Sequence, residues 1–196
     1  MAKEIGKQQL GEKDQVVLEA VLNTGFTYMM RAGEFLFRDG RGWDNAKVVR
    51  GRDVEVKEKQ GRRSATVHWR SSKTDQLASG NAMTHGEVKG NPLCPVTALG
   101  RLQATFPERA PGGQEQDLPL FRWANGGPVK RSYVREILGM AAVRLGLPRS
   151  RVGVHSLRVG GATALWVGTQ GNATLVRRLG RWASDAVHAY LWNLPV

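Results

Sequence analysis

Apolar side chains recur along this chain in two rhythms. A helical rhythm over DQVVLEAVLNTG places Val16, Val17, Ala20 and Val21 on one face, and Gly25 is expected to interrupt that helix. A second helical stretch is expected from about Tyr28 to Phe37, carrying Arg31 and Glu34 ahead of the turn-rich DGRGWDN. A strand rhythm follows. Segments around Lys47 to Val56 and Ser64 to Arg70 read as strands, SSKTDQLASGN as a turn region, and Ala82 to His85 as a third short strand. Helical spacing returns after Pro92. CPVTALGRLQATF opens on a proline and repeats at Val96, Leu99, Leu102 and Phe106. A long helix from about Lys130 to Leu145 is ended by Gly146 and Pro148, and the last 42 residues read as helices broken at Gly168, Gly171 and Gly180. The pattern predicts an α+β fold, mostly α-helical, with a small antiparallel three-stranded sheet. Residues 1–12 read as a polar tail and 13–196 as one domain, with no internal repeat or linker.

Composition narrows the partner. With 29 Lys and Arg against 17 Asp and Glu, the chain carries a formal charge of +12, which points to a polyanion: nucleic acid first, an anionic membrane surface second. Apolar residues make up 41% of the 196, enough for one core. No apolar run approaches the roughly 18 residues of a spanning helix, and MAKEIGKQQLGEKDQ is polar, so neither signal peptide nor anchor is expected. The single Cys94 excludes an internal disulfide and fits a reducing compartment. No Cys/His spacing suits zinc, so no metal and no cofactor are expected.

The chemistry concentrates between His155 and Tyr190, in HSLRVGGATALWVGTQGNATLVRRLGRWASDAVHAY. His155 and Arg158 stand three apart, a spacing that shares one helix face. A planar guanidinium there can give paired charge-assisted hydrogen bonds to one phosphate. The basic-aromatic Gly180-Arg181-Trp182 follows, then Tyr190 eight residues after the tryptophan. A phenol has a reference pKa near 10, so it attacks well only where its proton is removed and the anion is held by cations. Gly160, Gly161 and Ala162 form a small-residue surface suited to close helix packing. Tyr28 and Tyr133 lie in apolar helical patterns that suit packing, and His188 reads as a surface residue.

Five segments occur in an order that resembles the catalytic domain of tyrosine recombinases, the phage integrase family: MMRAGEF, SSKTDQ, NPLCPVTAL, HSLRVGGAT and GRWASDAVHAY. The resemblance runs from about residue 15 to 192, and its wording is closest to forms in eukaryotic retrotransposon and transposon recombinases. It implies a catalytic set of Arg31, Lys73, His155, Arg158, Trp182 and Tyr190. Glu34 and Arg181 would support that set, and Arg177 and Arg178 would bind DNA. Arg31 follows Gly25 by six residues, where the commoner family form has two, but the spacing to Glu34 is kept. The bland alternative for Arg31 and Glu34 is an exposed helix salt bridge. The family's third signature position lies nine residues before the nucleophile; that count reaches Arg181, and eight reaches Trp182, so both stay open.

The implied activity is site-specific recombination or integration. DNA is cleaved and rejoined through a 3′-phosphotyrosyl intermediate without metal or ATP, with Lys73 protonating the leaving 5′ oxygen. Alternatives are a type IB topoisomerase-like nicking and closing enzyme, or a domesticated, non-catalytic DNA-binding module. Double-stranded DNA is the expected partner, with a homo-tetramer on DNA and a monomer in its absence, and no membrane. The expected location is the nucleus for a eukaryotic source and the cytoplasm otherwise, not outside the cell. Family members usually carry an N-terminal core-binding domain that closes a clamp on DNA, and none is expected within this chain.

Overall fold

The computed structural model describes residues 10–40, 47–70 and 81–182. Helix α1, Glu12–Thr27, buries Val16, Val17, Ala20, Val21 and Thr24. It packs on α3, Pro95–Thr105, which buries Val96, Ala98, Leu99 and Leu102 and carries its proline in the first turn, where a missing N–H costs nothing. Each such aliphatic side chain taken out of water is worth about 1.5–3 kcal/mol, so this helix pair is the centre of the core.

Three strands lie against α3: β1, Val54–Lys59, β2, Arg62–Trp69, and β3, Asn81–Gly86. They form an antiparallel sheet in the order β1-β2-β3, with Val54 opposite Val67 and Trp69 opposite Asn81. Along β2 the inward positions Ala65, Val67 and Trp69 are buried, while Thr66 and His68 face out, the period of two expected for a half-buried sheet. Gln60 and Gly61, both at positive φ (53° and 71°), close the β1-β2 hairpin, as a turn that follows strand twist requires. Helix α4 spans Arg131–Arg144, α5 Val154–Gly168 and α6 Ala173–Leu179. The sheet and helix order agree with the sequence pattern.

Three local expectations fail. Gly25 does not interrupt α1. A Cβ there would meet the Phe35 ring at 2.9 Å and Leu157 Cδ1 at 3.1 Å, so its lack of a side chain serves packing inside an unbroken helix. The first strand starts at Val54 because residues 51–53 form a 3₁₀ turn, in which Asp53 accepts from Arg50 N at 2.8 Å and from Arg70 Nε at 3.1 Å. The helix expected from Tyr28 to Phe37 is only α2, Ala32–Phe35. Met29 adopts φ 49° and Arg31 is extended (φ −75°, ψ 140°), so the chain breaks after α1. That break leaves the Tyr28 and Met29 carbonyls without helical partners.

Helix α5 lies directly against this break. Gly161 faces the Phe26 carbonyl so closely that a Cβ would overlap its oxygen and sit 3.1 Å from both Phe26 C and Met29 Cγ. Two backbones can approach this closely only where one carries no side chain. The contact brings the first turns of α5, with His155 and Arg158, to the end of α1.

Candidate active site

Four guanidinium-to-carbonyl bonds join the break after α1 to the turn after α6. Arg158, on α5, donates through Nη1 to Met29 O and through Nη2 to Gly180 O, the latter at 2.6 Å. Arg181 donates through Nη1 to Tyr28 O at 3.2 Å, and Arg31 through Nη2 to Arg181 O at 2.9 Å. The broken helix exposes carbonyls, and cations from distant parts of the sequence satisfy them. A buried carbonyl without a partner costs free energy comparable to a lost hydrogen bond, so the arginines hold the two turns together.

One carboxylate serves this cluster. Glu34 accepts from Arg31 N at 2.8 Å and Arg31 Nη1 at 3.2 Å, and from Arg181 Nη2 at 2.7 Å. Glu34 and Arg181 side chains are each 4% exposed and Arg31 is 30% exposed. The i,i+3 pair of Arg31 with Glu34 does form, but its carboxylate is buried and engages a second arginine. A buried carboxylate is shared between two arginines 150 residues apart in sequence. Burial pulls the Arg181 guanidinium below its ordinary pKa and Arg31 adds repulsion, while Glu34 opposes both.

Aromatic faces complete the packing. The Arg158 guanidinium carbon lies 4.1 Å from the Trp182 ring centroid, and that of Arg181 3.7 Å from the Trp69 ring, within cation–π range. Any side chain at residue 180 would run into the Trp182 ring, so Gly180 lets the indole reach Arg158. Arg109 makes a similar arrangement elsewhere, bonding to the Arg122 and Trp123 carbonyls over Phe106. Burial of an arginine on carbonyls is thus by itself a structural device.

His155 and Arg158 share the N-terminal end of α5 but differ in exposure: His155 is exposed and Arg158 is buried, with only 3% of its surface open. Partial desolvation and the neighbouring Arg158 hold the His155 pKa below its ordinary value, which favours the neutral imidazole, a proton acceptor, near pH 7. Arg177 and Arg178 are exposed in the last turn of α6. Arg178 lines a groove of about 290 Å³ with Trp69, Met83, Leu175 and Arg181. Lys73 and Tyr190 lie outside the described residues. Arg70, at the end of β2, is anchored by Asp53 and by the Val48 carbonyl at 2.6 Å.

The other two tyrosines are occupied. Tyr28 is fully buried, donates to Ala65 O at 2.7 Å, and burial pushes its hydroxyl pKa up. Tyr133 packs edge-on to Trp123 at 5.0 Å, and burial raises its pKa as well.

Sequence reasoning missed Arg131 and Arg135. With Ala32, Asp39, Ser132 and Val154 they line a notch of about 300 Å³, beside the residues that follow Arg31 and precede His155. Arg131 Nε is buried without a hydrogen-bond partner, and Asp39 is engaged by Ser132 Oγ at 2.7 Å. The available signal was KRSYVRE, which sets two arginines four apart on one helical face.

No family model matches the chain, and no curated protein matches it in sequence. Solved structures do. It is similar to the XerH site-specific recombinase bound to a palindromic difH substrate in a post-cleavage complex, with TM-score 0.61 and 17% identity over 97% of this chain. It is also similar to XerH in a pre-cleavage complex with difH, with TM-score 0.59 and 18% identity over 96% of this chain. The chain spans 46% of the length of each XerH chain. Over nearly its whole length, then, the chain has a tyrosine-recombinase-like α+β fold.

Proposed function

We propose that this chain is the DNA-cleaving and rejoining domain of a site-specific recombinase that uses Tyr190 as its nucleophile. The observation that carries the reading is the meeting of Arg31, Arg158 and Arg181 around two facing turns, with His155 beside Arg158 on α5, in a chain of charge +12 whose fold is that of a recombinase solved on DNA.

In the proposed step the Tyr190 oxygen attacks the scissile phosphorus in line. Its proton passes to a neutral His155, and the bond from phosphorus to the 5′ oxygen breaks. That oxygen takes a proton from Lys73, leaving a 3′-phosphotyrosyl ester. A 5′ hydroxyl of another strand then attacks the ester and releases Tyr190, so the bond energy is conserved and no nucleotide triphosphate is consumed. Arg31 and Arg158 stabilise charge accumulating on the non-bridging oxygens, and Trp182 holds the Arg158 guanidinium against its face. Arg131, Arg135, Arg177 and Arg178 follow the flanking sugar-phosphate. The substrate is double-stranded DNA, on which four copies assemble, and the wording of GRWASDAVHAY favours integration by a transposable element.

A second reading, a DNA-binding module without turnover, is favoured by the burial of Arg158 on two carbonyls, the arrangement that Arg109 adopts structurally. A nicked suicide duplex separates the two. The intact chain should be trapped covalently on the DNA, and Tyr190→Phe should trap none. Arg158→Ala should abolish trapping while retaining most of the affinity, whereas a purely electrostatic binder would lose affinity and salt slope alike with any arginine. Trapping that survives Tyr190→Phe would sink the proposal.

A further inference from the structure

Arg181 occupies an uncomfortable backbone position. Its φ is 59°, the left-handed region, which is unfavourable for an L-residue other than glycine. Something must hold it there, and the side chain does. It runs inward with 4% exposure, stacks on Trp69 of β2 at 3.7 Å, and spends both Nη groups on Glu34 Oε2 (2.7 Å) and Tyr28 O (3.2 Å). Turning it outward to reach a ligand would strand the Glu34 charge and a backbone carbonyl in the interior, which is strongly unfavourable.

Both Nη groups of Arg31 depend on this residue. Arg31 Nη1 bonds Glu34 Oε1 at 3.2 Å, and the carboxylate is fixed from its other side by Arg181. Arg31 Nη2 bonds the Arg181 carbonyl at 2.9 Å, so it depends on the backbone of the same residue. Position therefore passes from the sheet through Trp69 to Arg181, then by two routes to Arg31, the more exposed of the two at 30%.

We infer that Arg181 is a positioning residue for Arg31, acting through Glu34 and through its own carbonyl, and that it does not itself touch the DNA. The catalytic consequence rests on the recombinase reading; the restraint on Arg31 does not, and the experiment has an arm for each.

Arg181→Gly is the decisive variant, because glycine accepts the positive φ without strain and removes only the side chain. In the free protein with ¹⁵N-labelled arginine, the Arg31 guanidinium signals are assigned by their loss in Arg31→Lys. Rotation of the Arg31 Nη groups should speed up about tenfold in Arg181→Gly, the equivalent of one charge-assisted hydrogen bond. On the nicked duplex, Arg181→Gly should slow covalent trapping about 100-fold, as misplacing a catalytic group does. Adding Arg181→Gly to Arg31→Ala should cost nothing further, since the pair acts as one unit. Unchanged Arg31 rotation overturns the inference, and so does a full additional loss in the double variant. If the unaltered chain traps no DNA, the recombinase reading falls and the rotation measurement alone decides the role of Arg181. Should Arg181→Gly fail to fold, Arg181→Lys decides by the same comparisons, because a compact ammonium cannot hold Glu34 and the Tyr28 carbonyl together as a planar fork does.

Discussion

Three glycines on α5 give the same substitution three different outcomes. Gly161→Ala puts a methyl into the Phe26 carbonyl oxygen, 3.1 Å from Phe26 C and Met29 Cγ. Backbone cannot rotate out of the way, so α5 must move off α1. Overpacking of this kind costs about 1–3 kcal/mol, only partly offset by the gain of up to about 1 kcal/mol that alanine brings to a helix. At Gly160 the nearest atom is Phe26 Cε2, 3.0 Å away at the end of a side chain, and a small ring shift brings the net change close to zero. At Gly168, the last residue of α5, nothing lies within 4 Å, and alanine should stabilise by about 0.4–1 kcal/mol, mainly by restricting the unfolded chain. Urea unfolding read by circular dichroism gives all three. For a chain of this size each kcal/mol moves the melting temperature by about 2–4 °C, so Gly161→Ala should melt several degrees low and Gly168→Ala slightly high. Since Met29 O and Arg158 flank the same contact, Gly161→Ala should also lose trapping activity. Equal melting temperatures for Gly161→Ala and Gly168→Ala would refute the claim that the α1-α5 approach sets the position of Arg158.

Tyr28→Phe removes a buried hydroxyl from Ala65 O, a 2.7 Å bond; a loss of about 1–2 kcal/mol in urea unfolding is expected, with trapping of nicked DNA retained, and loss of trapping at full stability would mean that Tyr28 takes part in the chemistry. His85 and His155 both have pKa values below the ordinary 6.5, His85 mainly through burial against a hydrogen bond to the Thr27 backbone, His155 through burial and Arg158. Between those lowered values and 6.5 the unfolded chain binds more protons than the native one, so stability is full above about pH 6.5 and falls as the pH drops below it. Urea midpoints between about pH 5.5 and 7.5 should show this slope, and His85→Gln should flatten it; an identical slope in His85→Gln would remove His85 from the account.

Much of this fold is legible in local spacing, because local spacing is what makes it. Val16, Val17, Ala20 and Val21 form a stripe that can only be buried as one helix face, and Ala65, Val67 and Trp69 alternate as a strand must. Residue types for phosphate chemistry, His155, Arg158 and Tyr190 above all, are also visible as ordered segments in a strongly basic chain. Errors arose where tertiary contacts override spacing. Nothing local says that Gly25 continues a helix, since its reason is the Phe35 ring against it. Nor does anything local say that the chain breaks between Tyr28 and Arg31, since the freed carbonyls are stabilised by Arg158 and Arg181 from more than 120 residues away.

The same division applies to the site. Sequence by itself determined an α+β chain with a basic character, the helix that carries His155 and Arg158, and the identity of the charged groups, because side-chain chemistry and periodicity are properties of the residues. Only the tertiary structure decided that Arg158 turns inward while His155 stays open, that Glu34 is buried between Arg31 and Arg181, and that Arg181 packs against Trp69 and Trp182 over Arg158. The physical reason is that a guanidinium goes where unpaired carbonyls and a carboxylate are buried, and those places exist only once distant turns have met.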